Sequence, residues 1–500
     1  MAGMRNYETG LYKQYEELLH KSEEQTKLLK ENNKTMKELN ATIKSMQIII
    51  DNLTKTIEEK NQEILRLKST NDKDSSNSSK PSSTNGYKKV ITNRREKSNN
   101  KQGGQKGHKA HTLFKNKLDQ FINSGNVTEE IIDVNKNEKN QNKRYIEKVV
   151  IDVMITKDVK RYRYYPNENG KYNIPKIHNQ KVQYGPIIKA IAIDLMNNLY
   201  NSTDGVRRFI SDITNNGVTL SKGTLINWNE NISEILTPVI ESIENHLLNS
   251  YYLNQDESQI KIDGDGYNIL CACNKKYTRL WTSEHKSQEA IDEIGFLPKF
   301  QGVIVKDGTE LYNKYGCFLS QCLSHIQRYL KGVYDFIAHE SPKKMSNFLS
   351  RCNTKRNELI EKGVSSFTKE EYNSLIKEYD LIIDEWEVEL RNDLNNYLFD
   401  DELKLWTRMK YDNKKMDEKI RGDRDEILYF LKDFKVPATN NQAETSQRGV
   451  KIKQKIGKFR SVEGSDNYVV IKSCILTYKK NNINVFDSLV SAFNNKPVIL

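Results

Sequence analysis

The apolar positions of this chain change period several times, and each change marks a different element. Leu29, Met36, Ile43, Ile50, Ile57 and Ile64 recur every seven residues, with Asn32, Leu39, Met46, Leu53, Lys60 and Leu67 three places on. A sustained 3.5-residue period without Gly or Pro predicts a coiled coil, and Ile in one seam with Leu in the other favours a parallel dimer. Polar Asn32 and Lys60 on the seam restrict register at some cost in stability. From Ser69 to about Gly107 the periodicity vanishes into a Ser/Asn/Lys-rich stretch that cannot bury a core. Alternation returns in Val149-Val150-Ile151-Asp152-Val153-Met154-Ile155 and Arg161-Tyr162-Arg163-Tyr164-Tyr165, which predicts a small β-rich module with a turn near Asn167–Gly170. A helical period follows in Ile187, Ile188, Ala190, Ile191 and Ile193. After Thr203-Asp204-Gly205-Val206, the breaker Gly217 and Ser221 ahead of Leu225-Ile226 together predict a helix-turn-helix-like pair.

Beyond Tyr251 the pattern is strand, hairpin, helix, strand. Tyr251–Asp256 reads as a strand, Asn268–Cys273 and Tyr277–Trp281 as a hairpin about Asn274-Lys275-Lys276, and Glu284–Ile294 as a helix. Gly302–Lys306 is a short apolar run of the buried-strand kind, ending at Asp307. Residues 330–431 are largely helical. There Thr368-x-x-Glu371 predicts a capping box ahead of the stripe Tyr372, Leu375, Ile376, Tyr379, Ile382, Ile383 and Trp386.

Composition narrows the class. Five hundred residues suffice for two or three domains. No segment approaches the run of about 18 apolar residues of a membrane helix, so neither a membrane partner nor secretion is expected and the chain reads as cytoplasmic. The six cysteines, at 271, 273, 317, 322, 352 and 474, do not describe a disulfide scaffold. Cys271-Ala272-Cys273 lacks the second pair a zinc site needs and reads as two small core residues. The net charge of +12 is moderate, so its distribution matters more. Between Lys80 and Leu118, Glu96 is the only acid among many bases, including Lys88, Lys89, Arg94, Arg95, Lys101 and Lys106. That segment is either a solvated linker or a flexible arm that neutralises DNA phosphates in a salt-sensitive way.

Three acids stand where chemistry can be built. Asp256 lies in a strand, Asp307 at a strand end, and Glu444 near a helix start in Asn440-Asn441-Gln442-Ala443-Glu444. Three converging carboxylates can hold two divalent cations. Each acid has a plainer reading. Asp307 can be a turn acid, and Glu444 can close a capping box on Asn441. Glu257 adjoins Asp256, but consecutive strand residues face opposite sides, so only one of them enters a site. Asp263 and Asp265 look like turn chemistry. The order of elements fits a ribonuclease-H-like core.

These motifs together resemble the insertion sequence 66 family of bacterial transposases, whose core is of the DDE type. The likeness runs through the coiled coil, Asn77-Ser78-Ser79-Lys80-Pro81-Ser82-Ser83, and the Gly103-Gly104-Gln105-Lys106-Gly107-His108 arm. It continues in Asp256-Glu257-Ser258, in Asp307-Gly308 with Tyr312, in Cys322, His325 and Arg328 of a Cys-x-x-His-x-x-Arg block, and in Asn440-Asn441-x-Ala443-Glu444. Lys106 stands where Pro is usual and Ser258 where Thr is usual. The family commonly carries a cysteine-rich zinc module before the core, but residues 120–180 here contain no cysteine, so no zinc is expected.

The resemblance implies cleavage at transposon ends and strand transfer into target DNA, with Asp256, Asp307 and Glu444 holding two Mg²⁺ ions that Mn²⁺ can replace. His325, Arg328, Arg448 and Lys455 are candidate DNA contacts, although His325 can equally be a core histidine and Arg448 can pair with Glu444. The expected partners are double-stranded DNA, a second copy through the coiled coil, and accessory proteins of the same element, in a bacterial, nucleoid-associated setting. A junction-specific nuclease of the same core, and a non-catalytic DNA-binding dimer, are the alternatives.

The expected architecture is multidomain α+β: a ribonuclease-H-like α/β catalytic core with an all-helical insertion, preceded by a coiled coil, a basic linker and a small β-rich module. The coiled coil spans 1–70, the linker 71–120, the β-rich module 121–182 and the helix-turn-helix-like domain 183–248. The core occupies 249–330, the insertion 331–435, and the core's C-terminal helices 436–500.

Overall fold

The computed structural model describes residues 2–71, 119–120, 122–123, 129–133, 149–153, 155–175, 183–337, 339–396 and 416–500. These form an α+β protein with a single five-stranded sheet. They divide into two compact units, one within Met1–Lys88, Thr237–Ile483 and Ile499–Leu500, the other within Lys89–Leu236 and Asn484–Val498.

The N-terminal heptads lie on one helix, α1 (Ala2–Asn71), whose 70 residues extend roughly 105 Å at 1.5 Å per residue. From Leu29 to Ile57 its seam is bare within the single chain. Leu29, Met36, Ile43 and Ile57 are each 57% or more exposed. The β-rich module expected over 121–182 is not a sheet among the described residues. Val149–Val153 and Arg161–Tyr165 carry no strand, and Val150 and Val153 are exposed. Alternation supplies a face only where a neighbouring strand completes the ladder, and the described residues here include none. The turn at Asn167–Gly170 does form, with the Gly170 amide donating to the Asn167 carbonyl at 2.9 Å.

The second unit contains α2 (Pro186–Ile193), α3 (Thr203–Ile213) and α4 (Lys222–Ile235). Pro186 opens α2, where its missing N–H costs nothing. Ser202 and Ser221 cap the next two helices by accepting from the Gly205 and Thr224 amides. Asn215 and Asn216 turn the chain between them at positive φ. Ala190, Ile193, Val206, Ile210, Leu225 and Ile232 are buried.

In the first unit, α5 (Thr237–Leu248) precedes the sheet. Its strands are β1 (Tyr252–Ile262), β2 (Asp265–Cys273), β3 (Thr278–Ser283), β4 (Val303–Lys306) and β5 (Phe318–Gln321), in the order β3-β2-β1-β4-β5. β2 runs antiparallel to β1 and β3, whereas β4 is parallel to both β1 and β5. The β1–β2 hairpin closes on Asp263-Gly264, both at positive φ as a two-residue type I′ loop needs. The helix expected over 284–294 is shorter, α6 (Gln288–Ile294), because Ser287 caps it by accepting from the Ala290 amide.

One sheet face is closed by α10 (Asn441–Ile456) and α11 (Val462–Lys480): Ile260, Ile262, Cys271 and Cys273 pack with Ala443, Val450, Tyr468 and Val469. Between β5 and α10 come α7 (Leu323–Ile337), α8 (Glu340–Glu361) and α9 (Lys369–Asn396). The capping box is reciprocal: the Thr368 amide donates to Glu371 Oε2 and the Glu371 amide to Thr368 Oγ1. Tyr379, Ile383 and Trp386 of the predicted stripe are buried in this helical core. The C-terminal α12 (Val485–Phe493) belongs to the second unit.

Candidate active site

The sheet sets the first two acids side by side. Asn254 of β1 pairs with Val305 of β4, so the same parallel register carried two residues on brings Asp256 to Asp307. Asp256 lies opposite Cys271 in the β1–β2 ladder, which puts its side chain on the face covered by α10. Glu257 turns to the other face. Its carboxylate accepts from the Tyr312 hydroxyl at 2.7 Å and pairs with Lys286. Beyond Asp307 the loop is held by buried Lys306, whose Nζ donates to the Thr309 carbonyl and to Asn313 Oδ1 at 2.6 Å.

The third acid arrives on the first turn of α10. The N-cap residue is Asn440, not Asn441, and its side chain makes no cap hydrogen bond. Glu444 is therefore the fourth helical residue and closes no capping box. Asn440 is fully buried and spent elsewhere. Its Nδ2 donates to the Gln255 carbonyl at 2.6 Å and lies 3.5 Å from Asp307 Oδ1, while its Oδ1 accepts from Asn254 at 3.0 Å. One amide thus ties the start of α10 to both acid-bearing strands. The motif that contained Asn440 gave it no role, because such a contact leaves no local pattern.

Glu444 Oε1 is buried without a hydrogen-bond partner, 3.9 Å from His325 Nδ1 and 3.8 Å from an Arg328 nitrogen. His325 is buried, with Nδ1 3.1 Å from Asp307 Oδ1 and Nε2 2.8 Å from Arg328. His325 and Arg328 thus sit beside the acids rather than on an outer face. Arg448, one turn past Glu444, is exposed, as is Lys455; the arginine that approaches Glu444 is Arg328. Lys88, Lys89, Arg94, Arg95, Lys101 and Lys106 lie outside the described residues.

The cluster carries more negative charge than it can easily keep. Burial, then Asp307, Glu257 and Glu444, push Asp256 up to about 8. Burial and Glu257 push Asp307 up to about 6, against the Asn440 hydrogen bond and the charges of Arg328 and Lys286. Burial and then Arg328 hold His325 down at about 4, so it is neutral near pH 7. Raised carboxylates in one cluster are what a cation-binding acid site looks like before the cation is counted. Cys271 and Cys273 are both free and fully buried under α10 and α11.

The model of the Transposase IS66 family matches residues 182–466, more than half of the chain. The chain belongs to that family. The matched region contains all three acids together with Asn440, His325, Arg328, Arg448 and Lys455, and it assigns the protein as a transposase, an enzyme class that acts on DNA and uses a divalent metal. None of the curated proteins matches the chain. Among the described residues no helix is long and apolar enough to cross a membrane.

Proposed function

We propose that this IS66 family protein is a DDE transposase that cleaves insertion-sequence ends and transfers the strands into target DNA, with Asp256, Asp307 and Glu444 as its metal-binding acids. The observation that carries this reading is the convergence of the three carboxylates, one from β1, one from the end of β4 and one from the first turn of α10. The sheet order, with β2 antiparallel to the other four strands, supports a ribonuclease-H-like core beneath them.

The donor set fits Mg²⁺ or Mn²⁺. It is all oxygen, it carries surplus charge, and Glu444 Oε1 is buried with no partner of its own. Two such cations supply a lowered pKa for an attacking water or DNA 3′-hydroxyl and stabilisation for the leaving oxygen. The protein's own residues do the positioning. Asn440 fixes α10 against β1 and β4, and Tyr312 holds Glu257 away on the opposite face. Exposed Arg448 and Lys455 run along α10 away from Glu444, where they are placed to meet phosphates, and the basic arm of the linker would add contacts of the same kind. The bare seam of α1 fits a second copy of the chain, which would let one dimer hold both ends of an element.

The deciding experiment is Mg²⁺-dependent cleavage and joining of DNA carrying the element's own ends, wild type beside Asp307→Ala. Joined product from wild type alone, with equal DNA binding by both, is the expected result. Equal joining by both proteins overturns the acid assignment, and cleavage without joining favours a junction nuclease.

A further inference from the structure

His325 is a buried imidazole with a different neighbour at each ring nitrogen. An Arg328 nitrogen stands 2.8 Å from Nε2. A guanidinium has donors and no acceptor, and two N–H groups cannot face each other at that distance. Nε2 must therefore be bare and accept from Arg328. In a neutral ring the single proton then belongs to Nδ1, the atom that lies 3.1 Å from Asp307 Oδ1 and 3.9 Å from Glu444 Oε1. Nδ1 has almost no access to solvent and makes no aligned hydrogen bond, so the Asp307 oxygen 3.1 Å away is the nearest acceptor its proton can turn to.

We propose that His325 is a positioning residue, locked by Arg328 as its Nδ1–H tautomer so that it presents a neutral donor to Asp307 and steadies one oxygen of that carboxylate. The inference rests on the acid site proposed above and assigns His325 a place beside its cations, not among their ligands.

Asp307, Cys322 and His325 have ligand atoms within 4.8 Å of one another, a grouping that by distance alone would suit a soft transition metal. One contact argues otherwise: the bond from Arg328 leaves the proton on Nδ1, and a protonated nitrogen offers no lone pair. A donor behind a ligating carboxylate holds its orientation with no added charge, and loss of such an outer partner typically lowers metal affinity about 10- to 100-fold.

The test uses the full-length protein. With histidine labelled by ¹⁵N and no metal added, the His325 resonances, identified by their loss in His325→Asn, should show a protonated Nδ1 and a bare Nε2. In Arg328→Met, Nε2 becomes free to carry the proton. The opposite tautomer in wild type overturns the proposal.

Mn²⁺ is then titrated by electron paramagnetic resonance. His325→Leu should bind about 10- to 100-fold more weakly than wild type, and His325→Asn, which keeps an N–H near the Nδ1 position, should recover most of that loss. Affinity in His325→Leu equal to wild type, or His325→Asn as weak as His325→Leu, refutes it. So does a nitrogen coupling to bound Mn²⁺ that disappears in His325→Asn, because that would make the imidazole a ligand. Mn²⁺ binding that survives intact in Asp256→Asn would instead remove the acid site itself.

Discussion

Asp256→Asn should make the metal-free protein more stable, not less. Asp256 has a pKa of about 8 in the fold against an ordinary 3.8. The native state therefore binds this proton more tightly than the unfolded chain does. Stability is full below about pH 4, falls as pH rises from there towards 8, and levels off above. At 1.36 kcal/mol per unit, the three or so units between the ordinary value and pH 7 correspond to roughly 4 kcal/mol. Water reaching this partly exposed group reduces that to about 2–4 kcal/mol. A neutral amide of the same shape escapes the penalty. Asp307, pushed to about 6, adds a smaller loss that is complete by that pH.

The assay is urea unfolding at pH 5 and pH 8 in the presence of a chelator, and again with Mg²⁺. Without metal, wild type should lose stability between the two pH values, and Asp256→Asn should lose much less and be the more stable at pH 8. With Mg²⁺ the gap should close, since a ligand at 100 times its Kd adds about 2.7 kcal/mol to the protein that binds it, a gain of the same size as the penalty. If Asp256→Asn is the less stable protein at pH 8 without metal, or if Mg²⁺ stabilises both equally, the charge-cluster reasoning fails.

Two further outcomes follow from particular contacts. Asn440→Ala takes a buried donor from the Gln255 carbonyl and the nearer of two acceptors from the Asn254 amide, which keeps the Thr439 carbonyl at 3.3 Å, at about 1–3 kcal/mol in all. It should also weaken Mn²⁺ binding, because Glu444 is no longer tied to the strands; unchanged Mn²⁺ affinity would show that Asn440 does not set the site. Ile43→Asp with Ile50→Asp puts two charges on the α1 seam and should halve the mass seen by sedimentation to the 58.2 kDa of one chain. A variant that sediments at the wild-type mass would mean that α1 is not what joins the copies.

What the sequence made legible is what residues a few positions apart decide. The hairpin loop Asp263-Gly264 and the Thr368–Glu371 box are settled within four residues, and the stripe ending at Trp386 by helical period alone. Alternation was a weaker guide. It marked Val149–Val153, which carries no strand among the described residues. The residues that support the candidate site stood in its motifs, but their contacts were not legible. Asn440 and Asn254 are 186 residues apart, and nothing in either neighbourhood announces the other. The three-residue spacing of His325 and Arg328 put them on one helix face without saying which face, and that turned out to be the one towards Asp307.

The helical stretch between β5 and α10 is more than a spacer, because the chain that leaves it must deliver Glu444 to within reach of two acids fixed on the sheet. Three successive supports bring it there. Buried Arg356 of α8 donates to the Phe430, Phe434 and Val436 carbonyls, all at 2.9 Å or less. The Leu323 amide, at the start of α7, then donates to the Ala438 carbonyl. Asn440 completes the series on β1 and β4. A buried guanidinium is costly to desolvate, and this one also meets Asn357 Oδ1 at 3.2 Å and the Phe434 ring at 5.5 Å. Its placement is explained by what it fixes: the path of the backbone over the last turn before the third acid. The precision of the acid cluster therefore depends on helices that contribute none of its carboxylates.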